Sequence, residues 1–293
     1  MVEFQSSKGP LGRRAGFLRK NLLMASALVT LAAIVLVAVL AGMLAPHDPV
    51  GGSILDNLLP PMASSYEGSA YLLGTDATGR DVLSVILHGS RISLIVGIAS
   101  VLGAGILGTF IGILAGYFEG FVDEALMRLV DVQLAFPFIL LAIIIMFILG
   151  QGFANVIAVL IVTTWPMYAR VARAEALRLR SSEYVLAART MGASHLRIIM
   201  RHLLPNAATP LIVIATAAVP QMIVLEAALS FLGVGMPPNV PSWGGLLASG
   251  RGYLSQAWWV ATFPGLAIML TVLSINILGD WLRDRLDPSL ADL

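Results

Sequence analysis

Long stretches of this chain carry no charged side chain, and this is what most limits how it can fold. Residues 22–45, 92–118, 132–169, 203–225 and 252–279 are all uncharged. A helix rising about 1.5 Å per residue needs roughly 20 such residues to cover the 30 Å of a bilayer interior. Of 293 residues, 58% are hydrophobic and 12% charged, about half the charged fraction of a soluble domain. A water-soluble globule is excluded. Eighteen Lys and Arg against seventeen Asp and Glu leave a formal charge of +1, too balanced for a protein that binds nucleic acid by neutralising phosphates. With no cysteine, disulfides, thiolate metal sites and cysteine nucleophiles are excluded as well. The two lysines, Lys8 and Lys20, precede the first apolar run, so no G-x-x-x-x-G-K-[ST] phosphate loop can be written.

The stretch 132–169 is long enough for two helices, and Gly150-Gln151-Gly152 at its middle supplies the turn. Six transmembrane helices result. Residues 227–250 are also uncharged, but Gly233, Gly235, Pro237, Pro238, Pro241, Gly244 and Gly245 would leave backbone amides unpaired in lipid. This segment is expected to be an external loop or a protein-buried re-entrant segment. With the amino terminus inside, the interior holds Lys8, Arg13, Arg14, Arg19, Lys20, Arg128, seven arginines between Arg170 and Arg201, Arg283 and Arg285, which is 15. Only Arg80, Arg91 and Arg251 are outside. Positive residues stay on the cytoplasmic side, so both termini are expected there. The basic stretch from Lys8 to Lys20 also meets anionic lipid.

The longest polar interior segment, Arg170 to His202, is ordered rather than linker-like. Ser182 to Met191 reads as a short helix with a serine cap and Glu183 in its first turn, ended by Gly192. A second helix follows from about Ser194 to Leu203, with Leu196, Ile199 and Leu203 as its apolar stripe. Pro205 opens the next span at a position where helices tolerate proline. Two short helices at a bend, with the small Ala187 and Ala188 on one side, make a knob that another protein could grip. Arginines that merely fix topology are the plainer reading of the charges.

Glu183, Ala187, Ala188, Gly192, Leu204 and Pro205 resemble the EAA loop of importer-type ABC permeases. His202 stands where the general pattern has an apolar residue, but Arg201-His202-Leu203-Leu204-Pro205-Asn206 is similar to the peptide subgroup. Further motifs in order are Leu73-Gly74-Thr75-Asp76 with Gly79-Arg80-Asp81, Glu226 to Gly233, Pro241-Ser242-Trp243-Gly244, and Gly279 to Pro288. Together they resemble the C-type permease subunit of dipeptide, oligopeptide and nickel importers over nearly the whole chain after residue 20. The resemblance implies an all-α membrane protein of the type I ABC importer permease fold, non-catalytic and without a cofactor of its own. It implies ATP and Mg on two partner ATPase subunits, a second homologous permease and an extracytoplasmic substrate-binding protein. The coupling helices, at about 183–203, would sit in an ATPase groove, with Glu183 pairing there, Ala187 and Ala188 allowing close approach and Gly192 supplying the bend. Peptides are the favoured cargo, with nickel, opines or oligosaccharides as alternatives, because selectivity rests largely with the binding protein.

The expected organisation is a cytoplasmic tail 1–21, a first transmembrane helix 22–45, a periplasmic segment 46–88, a five-helix permease core 89–282 and a cytoplasmic tail 283–293. An ion-coupled carrier, the rival class, would hold acids or histidines inside its spans. Here only Glu226 and Asp280 come near, at expected helix ends. Gln221, Glu226, Phe231 and Asn276 are the candidate pathway or gate residues. Gln133, Asn155, Thr163 and Thr164 are polar alternatives that interhelical hydrogen bonding explains equally well. His47 and His88 are too isolated to specify a metal, and no catalytic constellation is visible.

Overall fold

A computed structural model describes residues 10–65 and 68–286, with side chains from residue 22 onward. Lys8 and the Asp287-Pro288 end of the last motif lie outside the described residues, as do the side chains of Arg13, Arg14, Arg19 and Lys20. The elements are α1 (Pro10–Leu44), β1 (Ala63–Ser64), β2 (Ala70–Tyr71), α2 (Val82–Phe118), α3 (Gly120–Leu134), α4 (Phe138–Leu149), α5 (Phe153–Arg180), α6 (Glu183–Thr190), α7 (His195–Ile198), α8 (Leu204–Phe231), α9 (Trp243–Gly250) and α10 (Trp259–Leu286). The strands form one antiparallel pair, Ala63 opposite Tyr71.

Five helical stretches are long and apolar enough to cross a membrane: Leu22–Leu44, α2, α5, His195–Phe231 and α10. The remaining expected span is a bent pair, since α3 and α4 pass the same test only together and meet at 90°. Pro137 explains the break, because its ring drives Phe136 away from helical geometry and cannot continue the ladder. The expected turn at 150–152 is present: α4 ends at Leu149, Gly150 takes φ +78°, and α5 begins at Phe153. Asn155 Nδ2 closes it on the carbonyls of Leu149 and Gly150 at 2.9 and 3.1 Å.

Helices α2 and α5 form the tightest pair in the bundle. Gly108, Gly112 and Gly116 lie four residues apart on α2, and a Cβ at each would collide with the carbonyl oxygen of Trp165, Ala169 and Arg173 respectively. The stripe therefore packs within the chain, as small residues do where helix backbones meet in lipid. Arg91 holds α1 against α2 through Nε to Ala38 O at 3.1 Å and Nη2 to Val39 O at 3.0 Å. Exposed apolar side chains such as Val29, Ile106 and Phe147 remain for lipid.

Helix α5 continues through the arginines to Arg180, so the interior loop is shorter than its charge suggests. Those arginines are paired. Arg173 grips Asp123 of α3 with two bonds of 2.5 and 2.6 Å, Arg170 meets Asp131 at 2.7 Å and Arg180 meets Glu119 at 2.9 Å. The second interior helix and the next span, expected as separate elements, are one rod from His195 to Phe231. Between α7 and α8, Ile199–Leu203 form a π turn in which Leu204 N–H reaches back five residues to Ile199 O. Pro205, with no N–H to give, follows at once.

The segment between α1 and α2 is a small folded cap. Buried Asp76 accepts from Thr78 N, Thr78 Oγ1 and Arg80 N at 2.8, 2.7 and 3.0 Å, and pairs with Arg80 Nη2 at 2.6 Å. Asp81 caps α2 by accepting from Ser84 N at 3.0 Å, and His47 Nδ1 sits 3.4 Å from its Oδ2. Asp56 accepts from Ser65 Oγ at 3.0 Å and Tyr71 OH at 3.1 Å. Burial, and then the Asp56 carboxylate, raise the Tyr71 phenol above its usual value of 10.0.

Candidate functional site

Helix α6 ends in a Schellman arrangement. Ala193 N–H donates to Ala188 O and Gly192 N–H to Arg189 O, both at 3.0 Å, with Gly192 at φ +80°. Nothing lies within 4 Å of where a Gly192 Cβ would stand, so its backbone conformation rather than space demands glycine. Ser182 occupies the position before α6 but does not cap it. Its Oγ donates to Leu179 O at 2.5 Å instead, tying α6 to the end of α5. The cap on α7 is Ser194, which accepts from Arg197 N at 3.4 Å.

The α6–α7 unit is anchored to the inner end of α2. Tyr117 OH and His195 Nδ1 are 2.8 Å apart, and the Arg189 guanidinium lies 5.6 Å from the centre of the Tyr117 ring. Val185, Ala188, Ile198 and Leu203 are buried beneath it. Its outer surface is mixed, with Met191 82% and Leu186 46% exposed beside exposed Glu183, Tyr184 and Arg189, while Leu196, 70% exposed, borders an apolar groove of about 560 Å³ with Ile106 and Phe110 of α2 and Ile212 of α8. Leu196, expected on the packed stripe, is thus on the outer surface, and Ile198 takes its place inside. Glu183, Ala187, Gly192 and Pro205 are also exposed, Leu204 is half-buried and Ala188 buried. Tyr117 and His195 lie 78 residues apart and meet only through the fold, so no local pattern pointed to them.

The four pathway candidates do not converge. Asn276 of α10 lines a cavity of about 760 Å³ shared with Thr209, Thr216 and Asp280, at the end of the bundle that carries α6 and α7. Phe231 borders a separate apolar cavity of about 500 Å³ with Val224, Leu247 and Ile268 at the opposite end. There Arg251 Nη1 donates to Phe231 O at 2.8 Å and its guanidinium stacks 5.5 Å from that ring. Gln221 is exposed on α8 between the two. Glu226, expected at a helix end, lies inside α8 and is fully buried. Among the described residues no group of three or more His, Cys, Asp or Glu could hold a metal ion.

A bundle of long apolar helices with an ordered knob and a cavity of about 760 Å³ at one end is the architecture of a multi-pass membrane permease. The closest description of its class comes from sequence: residues 108–292 match the model of the binding-protein-dependent transport system inner membrane component. The chain belongs to that family, the non-catalytic membrane subunits of ABC transporters. It is 45% identical over 258 residues to the di/tripeptide transport system permease protein DppC of Pseudomonas aeruginosa, covering 88% of this chain and 85% of that one. It is 43% identical to the glutathione transport system permease protein GsiD of Pectobacterium atrosepticum, over 94% of this chain and 89% of that one. Among solved structures, an inward-facing MetNI methionine ABC transporter shares the fold, with a TM-score of 0.57 and 20% identity, over 69% of this chain and 96% of that chain.

Proposed function

We propose that this chain is one of two similar but non-identical permease subunits of an ATP-driven importer of di- or oligopeptides. It forms half of the translocation path, with both termini in the cytoplasm. An external binding protein delivers the cargo, and two ATPase subunits, holding ATP and Mg, grip the α6–α7 knob. The observation that carries this reading is that knob: a bent, internally anchored pair of helices that exposes Leu186 and Met191 beside Glu183 and Arg189 rather than burying them. Apolar surface projecting on the most basic side of a membrane protein calls for a protein partner, not lipid. Ala187 lets that partner approach closely, Glu183 offers it a charged contact, and the Leu204-Pro205 step joins the knob to the span.

Peptide cargo is supported by the relatives named for di/tripeptide and peptide transport at 45 and 46% identity. Glutathione is the second reading, supported by relatives at 43 and 41%. Reconstitution of the chain with its permease, ATPase and binding-protein partners in liposomes tests both. ATP-dependent uptake of a labelled dipeptide, outcompeting glutathione, is the expected result. Uptake by the chain alone, driven by an ion gradient, would overturn the importer reading in favour of a carrier.

A further inference from the structure

The long rod that starts at the knob ends beside a buried carboxyl group. Glu226 sits five residues before the end of α8 and has no exposed surface, where an ionisable group without a role is costly. Its Oε1 accepts from Ser230 Oγ at 2.9 Å. Ser230 Oγ in turn accepts from Met236 N–H at 3.1 Å, in the loop that leaves α8. The hydroxyl of Ser242 also faces the carboxyl group, and Ser242 is the residue that caps α9 by accepting from Gly245 N–H at 3.0 Å. The middle of the 232–242 loop is therefore tied to this side chain through Ser230. Gly244 completes the contact, since a Cβ there would stand 2.6 Å from Ala227 Cα and 3.1 Å from Glu226 Oε1. From α2, Ser93 faces the same group, and both Ser93 Oγ and Glu226 Oε2 lack a hydrogen-bond partner in this conformation.

We propose that Glu226 is a positioning residue that latches helix α9 and its loop to the far end of the His195–Phe231 rod. The rod spans 37 residues, about 55 Å at 1.5 Å per residue. A displacement imposed at α7 is carried to α9 because Glu226 holds the loop after α8 through Ser230 and packs directly against Gly244 at the start of α9. The unpartnered Ser93 and Glu226 oxygens supply a hydrogen bond to be made when α8 shifts against α2. This deepens the proposed importer function and rests on the knob being the point where force enters.

The chain contains no cysteine, so a single Leu247→Cys on α9 reports on this end through a membrane-impermeant thiol reagent. The assembled transporter in vesicles is compared with and without ATP, in the Leu247→Cys background and with added Glu226→Ala, Glu226→Gln or Ser230→Ala/Ser242→Ala. The latch predicts that Glu226→Ala and the double serine variant lower uptake about tenfold, within the usual range of coupling between sites. ATP hydrolysis stays within about twofold, and labelling of residue 247 loses its ATP dependence. Glu226→Gln, which keeps the shape and one acceptor, is expected to retain ATP-dependent labelling, which guards against a simple failure to fold. Normal uptake and ATP-dependent labelling in Glu226→Ala would overturn the latch while leaving the importer reading intact. Absence of ATP-driven uptake by the unaltered complex would overturn both.

Discussion

Gly192 shows how little of a side chain's role need be packing. Its Cβ position is open, yet φ is +80°, a region that costs other L-residues about 1–2 kcal/mol. Gly192→Val is expected to abolish substrate-stimulated ATP hydrolysis by the assembled complex while membrane insertion, measured by fractionation, is retained. Unchanged stimulation would remove the knob from the coupling path. Tyr71 gives the pH dependence. Its phenol titrates above 10.0 in the fold because it is buried and donates to Asp56. Between the unfolded and folded values the native state holds the extra proton, so stability falls as pH rises through that window. Below pH 10 the contribution is fully present. The difference in tyrosinate absorbance between the unaltered protein and Tyr71→Phe is expected to have its midpoint above 10. Loss of the hydroxyl itself costs about 1–3 kcal/mol.

At the scale of elements, α9 depends on one anchor more than on its own eight residues, too few to be stable alone. Trp243 is 2% exposed, and its Nε1–H donates to Ile86 O of α2 at 3.0 Å. Trp243→Ala is expected to cost about 3–5 kcal/mol, whereas Trp243→Phe loses chiefly a hydrogen bond worth about 1 kcal/mol; thermal unfolding in detergent separates the two. The sequence showed that 227–250 should not cross, because its glycines and prolines are local facts. It did not show a helix docked there, because Ile86 and Trp243 are 157 residues apart. Likewise Gly150 and Gly152 announced their turn, while the break at Pro137 was hidden near the start of the first of the two helices expected in that apolar run. Glu226 was visible as an isolated acid, but the surroundings that bury it, Ser93 of α2, Ser230 of α8 and Gly244 of α9, come together only in the fold.

For the whole molecule, the positive-side count is the basis of the proposed orientation, and this is checked with the same impermeant reagent on intact cells. Met191→Cys, 82% exposed on the knob, is expected to label only after the membrane is opened, and Leu55→Cys, 73% exposed in the cap, to label at once. The reverse pattern would place the knob where no ATPase can reach it. The arginines that supplied this count are also structural, since Arg170 and Arg173 hold α3 against α5 and Arg180 ties the end of α5 to the junction between α2 and α3. Charge alone could not separate those two uses, because a topogenic arginine and a bridging one look alike until an acid is found opposite. The π turn at Ile199–Leu203 bears on the molecule as a machine. It stores one surplus residue in the shaft, and such slack could migrate along a helix and turn a push into idle twist. With Pro205 immediately beyond it, the surplus residue has no amide through which to advance along α8, so the change of helical register stays at the knob end of the rod.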